Sequence, residues 1–289
     1  MEKDMKTLSK LITRLENDPL SARRIIEDLD KKKAMVIGIT GPGGAGKSTL
    51  VNAMIKEYRK SGRKVGVIAV DPSSPFSGGA FLGDRIRMKQ HFTDEGVFIR
   101  SMASRGALGG LNDSIFDVVE LMRGFDFDVI IVETVGAGQT EIDIAYVAQT
   151  VLLVLSPGGG DEIQMLKAGI VEIADIFVIN KSDMSGADSI ELSIRAMLEI
   201  SDRTGWIPPI VRTIATEGKG VKELIDEIQK HERYLIESGE IQKREKRRIK
   251  KHAEHILRNR INKILDESEG ESVEKLLDET LRKICENLE

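Results

Sequence analysis

The run Gly41-Pro42-Gly43-Gly44-Ala45-Gly46-Lys47-Ser48-Thr49 constrains this chain more than any other stretch. It matches G-x-x-x-x-G-K-[ST] and falls between an apolar run, Met35 to Thr40, and a segment of helical pattern, 49 to 60. That is the strand-to-helix setting the motif requires. Glycines let consecutive backbone N–H groups turn inward around an anion, and the following helix adds the positive end of its dipole. On that logic Gly41, Gly43, Gly44, Ala45 and Gly46 cradle phosphate, and Thr49 continues into the helix. Lys47 reaches the β- and γ-phosphates, and Ser48 offers its hydroxyl to Mg²⁺.

The apolar pattern around this loop predicts the architecture. Short continuous runs recur at Met35 to Thr40, Lys64 to Val70, Val97 to Arg100, Val129 to Val132, Val151 to Leu155, Ile176 to Ile179 and Ile210 to Ile214. Helix-length segments separate many of them, at 49 to 60, 113 to 123, 161 to 172 and 187 to 203. Strands that are apolar throughout, rather than alternating, are buried on both faces, so the expectation is an α/β fold with a mostly parallel sheet. Residues 1–34, with Leu8, Leu11, Ile12 and Leu15 at helical spacing, read as a helical extension; 35–220 form the core domain; 221–289 form a helical arm. Leu277, Leu281, Ile284 and Leu288 make a narrow apolar seam in that arm, suited to the chain's own core or to a second copy.

Composition narrows the setting. With 40% hydrophobic and 31% charged residues, the chain suits a soluble protein, and a net charge of -4 argues against a surface that seeks nucleic acid. Its one cysteine, Cys285, supports neither a disulfide framework nor a multi-cysteine metal site. No apolar run approaches a bilayer span and no leader pattern opens the sequence, so the expected location is the cytoplasm, without membrane contact.

A second motif, Asn180-Lys181-Ser182-Asp183, follows the run Ile176 to Ile179 and so lies on the same sheet edge as the phosphate loop. An ionised carboxylate only accepts hydrogen bonds, and guanine offers its N1–H and N2 amino group as adjacent donors. Asp183 therefore selects guanine over adenine, while the Lys181 stem lies along the base and Asn180 ties the loop down. The loop Thr213-Ile214-Ala215-Thr216 stands where a further base-side contact falls, but its residues suit a solvated turn equally well.

Mg²⁺ takes oxygen ligands from phosphates, a hydroxyl, water and one or two carboxylates. Three acids stand at strand ends or in adjoining loops: Asp71, Asp84 and Glu133. The connection from Pro72 to Gln90 is long and glycine-bearing, and loops of that kind are often functional. Gly158-Gly159-Gly160 and Gly136-Ala137-Gly138 mark two further hinge-like loops.

These stretches together resemble the MeaB/ArgK-type P-loop GTPases, the family associated with methylmalonyl-CoA mutase and related cobalamin-dependent mutases and also named LAO/AO transport system kinases. The resemblance is carried by GPGGAGKST (41–49), VDPSSPFSGGAFLGDRIRM (70–88), VETVGAGQTE (132–141), SPGGGDEIQMLKAG (156–169) and NKSD (180–183). It implies a SIMIBI-class G domain with flanking helices, a homodimer formed through the C-terminal arm, and GTP and GDP as substrate and product. It also implies a chaperone role toward a cobalamin-dependent mutase. Ser48, Asp71, Asp84 and Glu133 take Mg²⁺-site roles, and Lys47, Asp71, Glu133 and Gln139 are the catalytic candidates. Residues 72–90 become switch I, 133–141 switch II and 156–167 a third mobile loop. Gln139 falls two residues beyond the position of the water-orienting glutamine of small GTPases, which leaves its role open.

Pro42 stands where one subgroup of related ATPases has an additional lysine, which argues against that subgroup. Arg85, Arg87, Arg100 and Arg105 are candidate phosphate-facing cations, against a surface role for each. The basic run Lys243 to Lys251 lacks interleaved aromatics and reads as a solvated helix face. His231, His252 and His255 lie in one helical region, and His252 and His255 have no nearby carboxylate or cysteine beyond Glu254, which argues against a metal site. A small-molecule kinase and a metallochaperone-type GTPase are the competing functions. The first needs an acceptor pocket with its own base, and the second a Cys/His cluster.

Overall fold

The computed structural model describes residues 3–17, 25–31, 33–71, 88–103, 114–134, 142–158, 170–200, 205–268 and 272–286. Its centre is a sheet of seven strands in the order β3-β2-β4-β1-β5-β6-β7, with every pair parallel. In chain order the strands are β1 (Met35–Thr40), β2 (Val65–Asp71), β3 (Val97–Ala103), β4 (Val129–Glu133), β5 (Thr150–Leu155), β6 (Ile176–Asn180) and β7 (Ile210–Thr213). β1, β4, β5 and β6 are buried at every residue, which is why their sequences show no alternation.

Helices cover both faces. Val36, Ile68, Ile130 and Val132 point to a core shared with α1 (Met5–Asn17), α3 (Ile115–Gly124) and the short α4 (Ile144–Val147). The alternate residues, such as Ile37, Val67, Ile131 and Val154, point to a core shared with α2 (Lys47–Lys60) and α6 (Val221–Glu237). A third cluster joins Leu153, Leu155, Phe177 and Ile179 to Ala187 and Ile194 of α5 (Ala187–Ile200). The predicted helix at 161–172 lies mostly outside the described residues, which resume with a 3-10 turn at Ile170–Ile173.

Two helices assigned by sequence to flanking segments pack with the sheet. Leu8, Ile12 and Leu15 of α1 are fully buried in the first core, and Arg100 of β3 reaches across to Glu16 and Thr13 at 2.5 and 3.1 Å. Arg100 is thereby occupied with α1 rather than with a phosphate. Val221, Leu224, Ile225 and Ile228 of α6 belong to the second core. The chain separates into compact units between Gln242 and Lys243, so α6 lies with the sheet although the expected division stood at residue 220.

His231 of α6 is fully buried, with Nδ1 2.8 Å from the Thr150 hydroxyl and Nε2 3.4 Å from the Asp175 carboxylate. Asp175 in turn accepts from the Val151 N–H at 2.9 Å, and its backbone carbonyl accepts from the Trp206 indole at 2.8 Å. This knot sits at the amino end of β5 and β6, away from the nucleotide edge.

The second unit contains most of α7 (Glu240–Asp266), together with α8 (Val273–Glu286). On α8, Val273, Leu277 and Leu281 are exposed at helical spacing. His252 and His255 lie on α7, and Ile284 and Leu288 of the predicted seam have no described side chains. Among the described residues no helix is long and apolar enough to cross a membrane.

Candidate nucleotide-binding site

The phosphate loop leaves the carboxyl end of β1, which lies between β4 and β5. In open parallel sheets the crevice at such a central strand end is the ligand site. Two glycines are required by geometry. Gly41 has φ 143° and packs against the Val154 carbonyl of β5, where a side chain would collide. Gly46 has φ 87° and faces the Asn180 amide, so a Cβ there would push the base loop away.

The helix begins with two functional residues. Lys47 is buried and donates to the carbonyls of Gly41 at 2.7 Å and Pro42 at 3.1 Å, which curls the ammonium back over the loop. Ser48 is buried and donates its hydroxyl proton to Glu133 Oε1 at 2.7 Å. Glu133 ends β4 in register with Ile39 of β1, so two neighbouring parallel strands bring the loop serine and the strand-end acid together. Because the proton goes to Glu133, the serine oxygen keeps lone pairs for a cation. An oxygen pair of this kind fits a hard divalent ion such as Mg²⁺. Just beyond, the Thr134 N–H donates to the Ile39 carbonyl at 3.0 Å, and the Thr134 hydroxyl lies 3.2 Å from that of Thr40. The root of the 133–141 segment is therefore fastened to the strand that feeds the phosphate loop.

Asn180 and Lys181 carry the base side. Asn180 donates from Nδ2 to the Ala45 carbonyl at 2.9 Å, and its Oδ1 accepts from the Thr213 hydroxyl and the Ala215 N–H, both at 3.1 Å. Lys181 donates to the Gly44 carbonyl at 2.8 Å. Its backbone sits at φ 54°, an uncommon choice for a lysine, held in place as Ser182 N–H bonds the Thr213 carbonyl. Asp183 follows, exposed, on the turn after β6.

The structure thus joins Gly41, Gly43, Gly44, Ala45, Gly46, Lys47, Ser48, Thr49, Glu133, Asn180, Lys181 and Asp183 along one sheet edge. Asp71 closes β2 at that edge. The Asp71 side chain, Asp84 and Gln139 lie outside the described residues, as do Arg85, Arg87 and Arg105. The 213–216 loop, which the sequence left open, is built into the site: Thr213 and Ala215 are buried and both bond Asn180. Threonine and alanine carry no motif, so only the register of β7 beside β6 reveals their part.

A model of the family described as "Methylmalonyl Co-A mutase-associated GTPase MeaB" matches residues 8–269. The chain belongs to the MeaB family. Like its relatives, this MeaB-family protein is a P-loop GTPase. It is 49% identical over 274 residues to a putative GTPase of Pyrococcus horikoshii, a match covering 93% of this chain and 86% of the relative. It is 38% identical over 210 residues to the mouse protein named methylmalonic aciduria type A homolog, mitochondrial, covering 71% of this chain and 51% of the mouse protein. The fold matches a crystal structure titled LAO/AO transport system kinase with a TM-score of 0.70 at 23% identity, over 98% of this chain and 94% of that one.

Proposed function

We propose that this MeaB-family GTPase is a Mg²⁺-dependent switch that serves as a chaperone for a cobalamin-dependent acyl-CoA mutase of the methylmalonyl-CoA mutase type, in the cytoplasm. The observation that carries the reading is the Ser48 to Glu133 hydrogen bond at 2.7 Å. It links the phosphate loop to the first residue of the 133–141 segment, so a change at the phosphates has a direct route into a neighbouring loop. The mutase is proposed from the family description and from the name of the mouse relative.

In this reading Gly41 to Thr49 hold the phosphates, and Lys47 leaves the loop carbonyls to meet the β- and γ-phosphate oxygens. Asn180 and Lys181 brace the base loop against Ala45 and Gly44, and Asp183 accepts from guanine. Ser48 and Glu133 would hold Mg²⁺, joined by Asp71 and Asp84, and Gln139 stays a catalytic candidate whose role is open. The bound ion supplies charge neutralisation at the phosphates. Hydrolysis releases the γ-phosphate contacts that order the switch loops. Homodimerisation is assigned to α8, whose Val273, Leu277 and Leu281 are exposed in the single chain.

The test is retrieval from the source cytoplasm by tagged protein loaded with GDP or with a non-hydrolysable GTP analogue. A cobalamin-dependent mutase recovered in a nucleotide-dependent amount supports the reading. Recovery of none with either nucleotide, alongside normal GTP turnover, leaves a GTPase without the proposed partner. Turnover that survives complete chelation of Mg²⁺ removes the metal from the proposal.

A further inference from the structure

The chain re-enters the described structure at Met88, which is fully buried in the core that α2 shares with the sheet. A 3-10 turn, Lys89–His91, follows directly. His91 Nε2 lies 2.6 Å from Asn52 Oδ1 on α2, and Gln90 donates to the same oxygen. Asp94 accepts from Arg59 Nε at 2.8 Å, farther along α2. Asn52 and Arg59 stand two turns apart on one helix face, and Asn52 is one turn beyond Ser48. The segment after residue 87 is therefore laid along the same helix that presents Lys47 and Ser48.

His91 is buried, and its bond to an amide oxygen requires the proton on Nε2. Two charged groups act on it, Lys56 of α2 and Asp94 of its own segment, and Asp94 is itself paired with Arg59 of α2. Burial, followed by the Lys56 charge, pushes the imidazole pKa below its ordinary value, with Asp94 opposing.

We infer that His91 and Asn52 are a positioning pair for GTP hydrolysis: their bond fixes the exit of the 72–90 loop to the helix bearing Lys47 and Ser48. The inference rests on the proposed reading of that loop as switch I. A loop ordered by γ-phosphate changes affinity only through contacts that differ between the GTP and GDP states. When its exit is tied to α2, that difference acts on the helix holding Ser48; when the tie is cut, it is dissipated in a slack connection. Neither residue belongs to a motif, and they stand 39 positions apart.

The experiment compares wild type with Asn52→Ala, His91→Ala and His91→Gln. Affinities for GDP and for a non-hydrolysable GTP analogue are measured beside kcat, KM and the pH profile of kcat. Asn52→Ala exchanges a poor helix former for the best one, so α2 is retained. His91→Ala is expected to lower the analogue-to-GDP affinity ratio and kcat by about three- to tenfold, the range for one lost hydrogen bond, and Asn52→Ala, which removes the Gln90 bond as well, by at least as much, with GDP affinity changed less than about twofold in both. His91→Gln keeps a donor at this position, so it is expected to retain kcat at neutral pH and to show less of any acid-side fall that comes from charging the buried ring. An unchanged ratio and kcat in folded Asn52→Ala overturns the inference. So does an equal loss of GDP and analogue affinity, which makes the pair a fold contact only. If wild type itself binds GDP and the analogue equally, the switch reading fails first.

Discussion

At the residue scale, the site depends on where single protons and lone pairs are placed. Asp183 offers only acceptors, so Asp183→Asn puts an amide N–H₂ opposite guanine's own donors. GTP affinity is expected to fall roughly 10- to 150-fold, the range for a hydrogen bond to a charged group, while xanthosine triphosphate, with an oxygen where guanine has its amino group, gains. Paired titrations of the two nucleotides read this out, and retained GTP preference would remove Asp183 from base recognition. His91 gives a pH dependence of stability. Its folded pKa is depressed by burial and Lys56, so the unfolded chain binds the proton more readily. The His91 contribution is fully present above the ordinary value of 6.5 and is lost as pH falls through the folded pKa. Urea midpoints measured downward from neutral pH should decline less in His91→Gln than in wild type. The motif residues of the site were legible because their chemistry demands fixed residue types at fixed spacing. Thr213, Ala215, Asn52 and His91 were not, because each acts through a partner distant in sequence that only strand register or loop return brings near.

At the element scale, the ends of the chain teach most. The central strands were readable because burial on both faces imposes an apolar run, broken at the carboxyl ends by site-facing residues such as Thr40 and Glu133, and the turn chemistry of the phosphate loop sets the phase. The roles of α1 and α6 were not, since an amphipathic stripe shows that a helix has a face to bury and not what it is buried against. Ile12 is fully enclosed with Leu8 and Leu15. Ile12→Ala is expected to cost about 2–5 kcal/mol, as for other large-to-small core changes. A calorimetric scan showing no change in Tm would make α1 a detachable extension. α6 is held at its base by a polar knot as well as by its apolar face. His231→Ala opens a buried space and leaves the Thr150 hydroxyl and Asp175 without the ring that joins them. A loss of about 2–4 kcal/mol is expected by urea denaturation, combining the cavity and an uncompensated buried polar group. GTP affinity per folded molecule should persist, because the knot lies at the opposite sheet edge from the phosphate loop.

At the scale of the whole molecule, the nucleotide edge and the second compact unit are separate features of one chain, and they are separable by experiment. Every described contact of Lys47, Ser48, Asn180 and Lys181 reported above comes from residues before Gln242. The apolar residues Val273, Leu277 and Leu281 belong to the other unit and remain exposed. Exposed apolar side chains repeated at one helix face are a cost in water unless something covers them, and the proposed cover is α8 of a second copy. Replacing Leu277 and Leu281 together by glutamate keeps good helix formers at both positions while placing charge in the seam. Sedimentation equilibrium is expected to show a dimer for wild type and a monomer for the double variant, with GTP affinity of the monomer within about twofold of wild type. A wild-type monomer at concentrations well above its working range removes α8 as a dimer seam. A double variant that remains dimeric places the contact elsewhere. Loss of GTP affinity together with dimerisation shows instead that the second copy supports the nucleotide site.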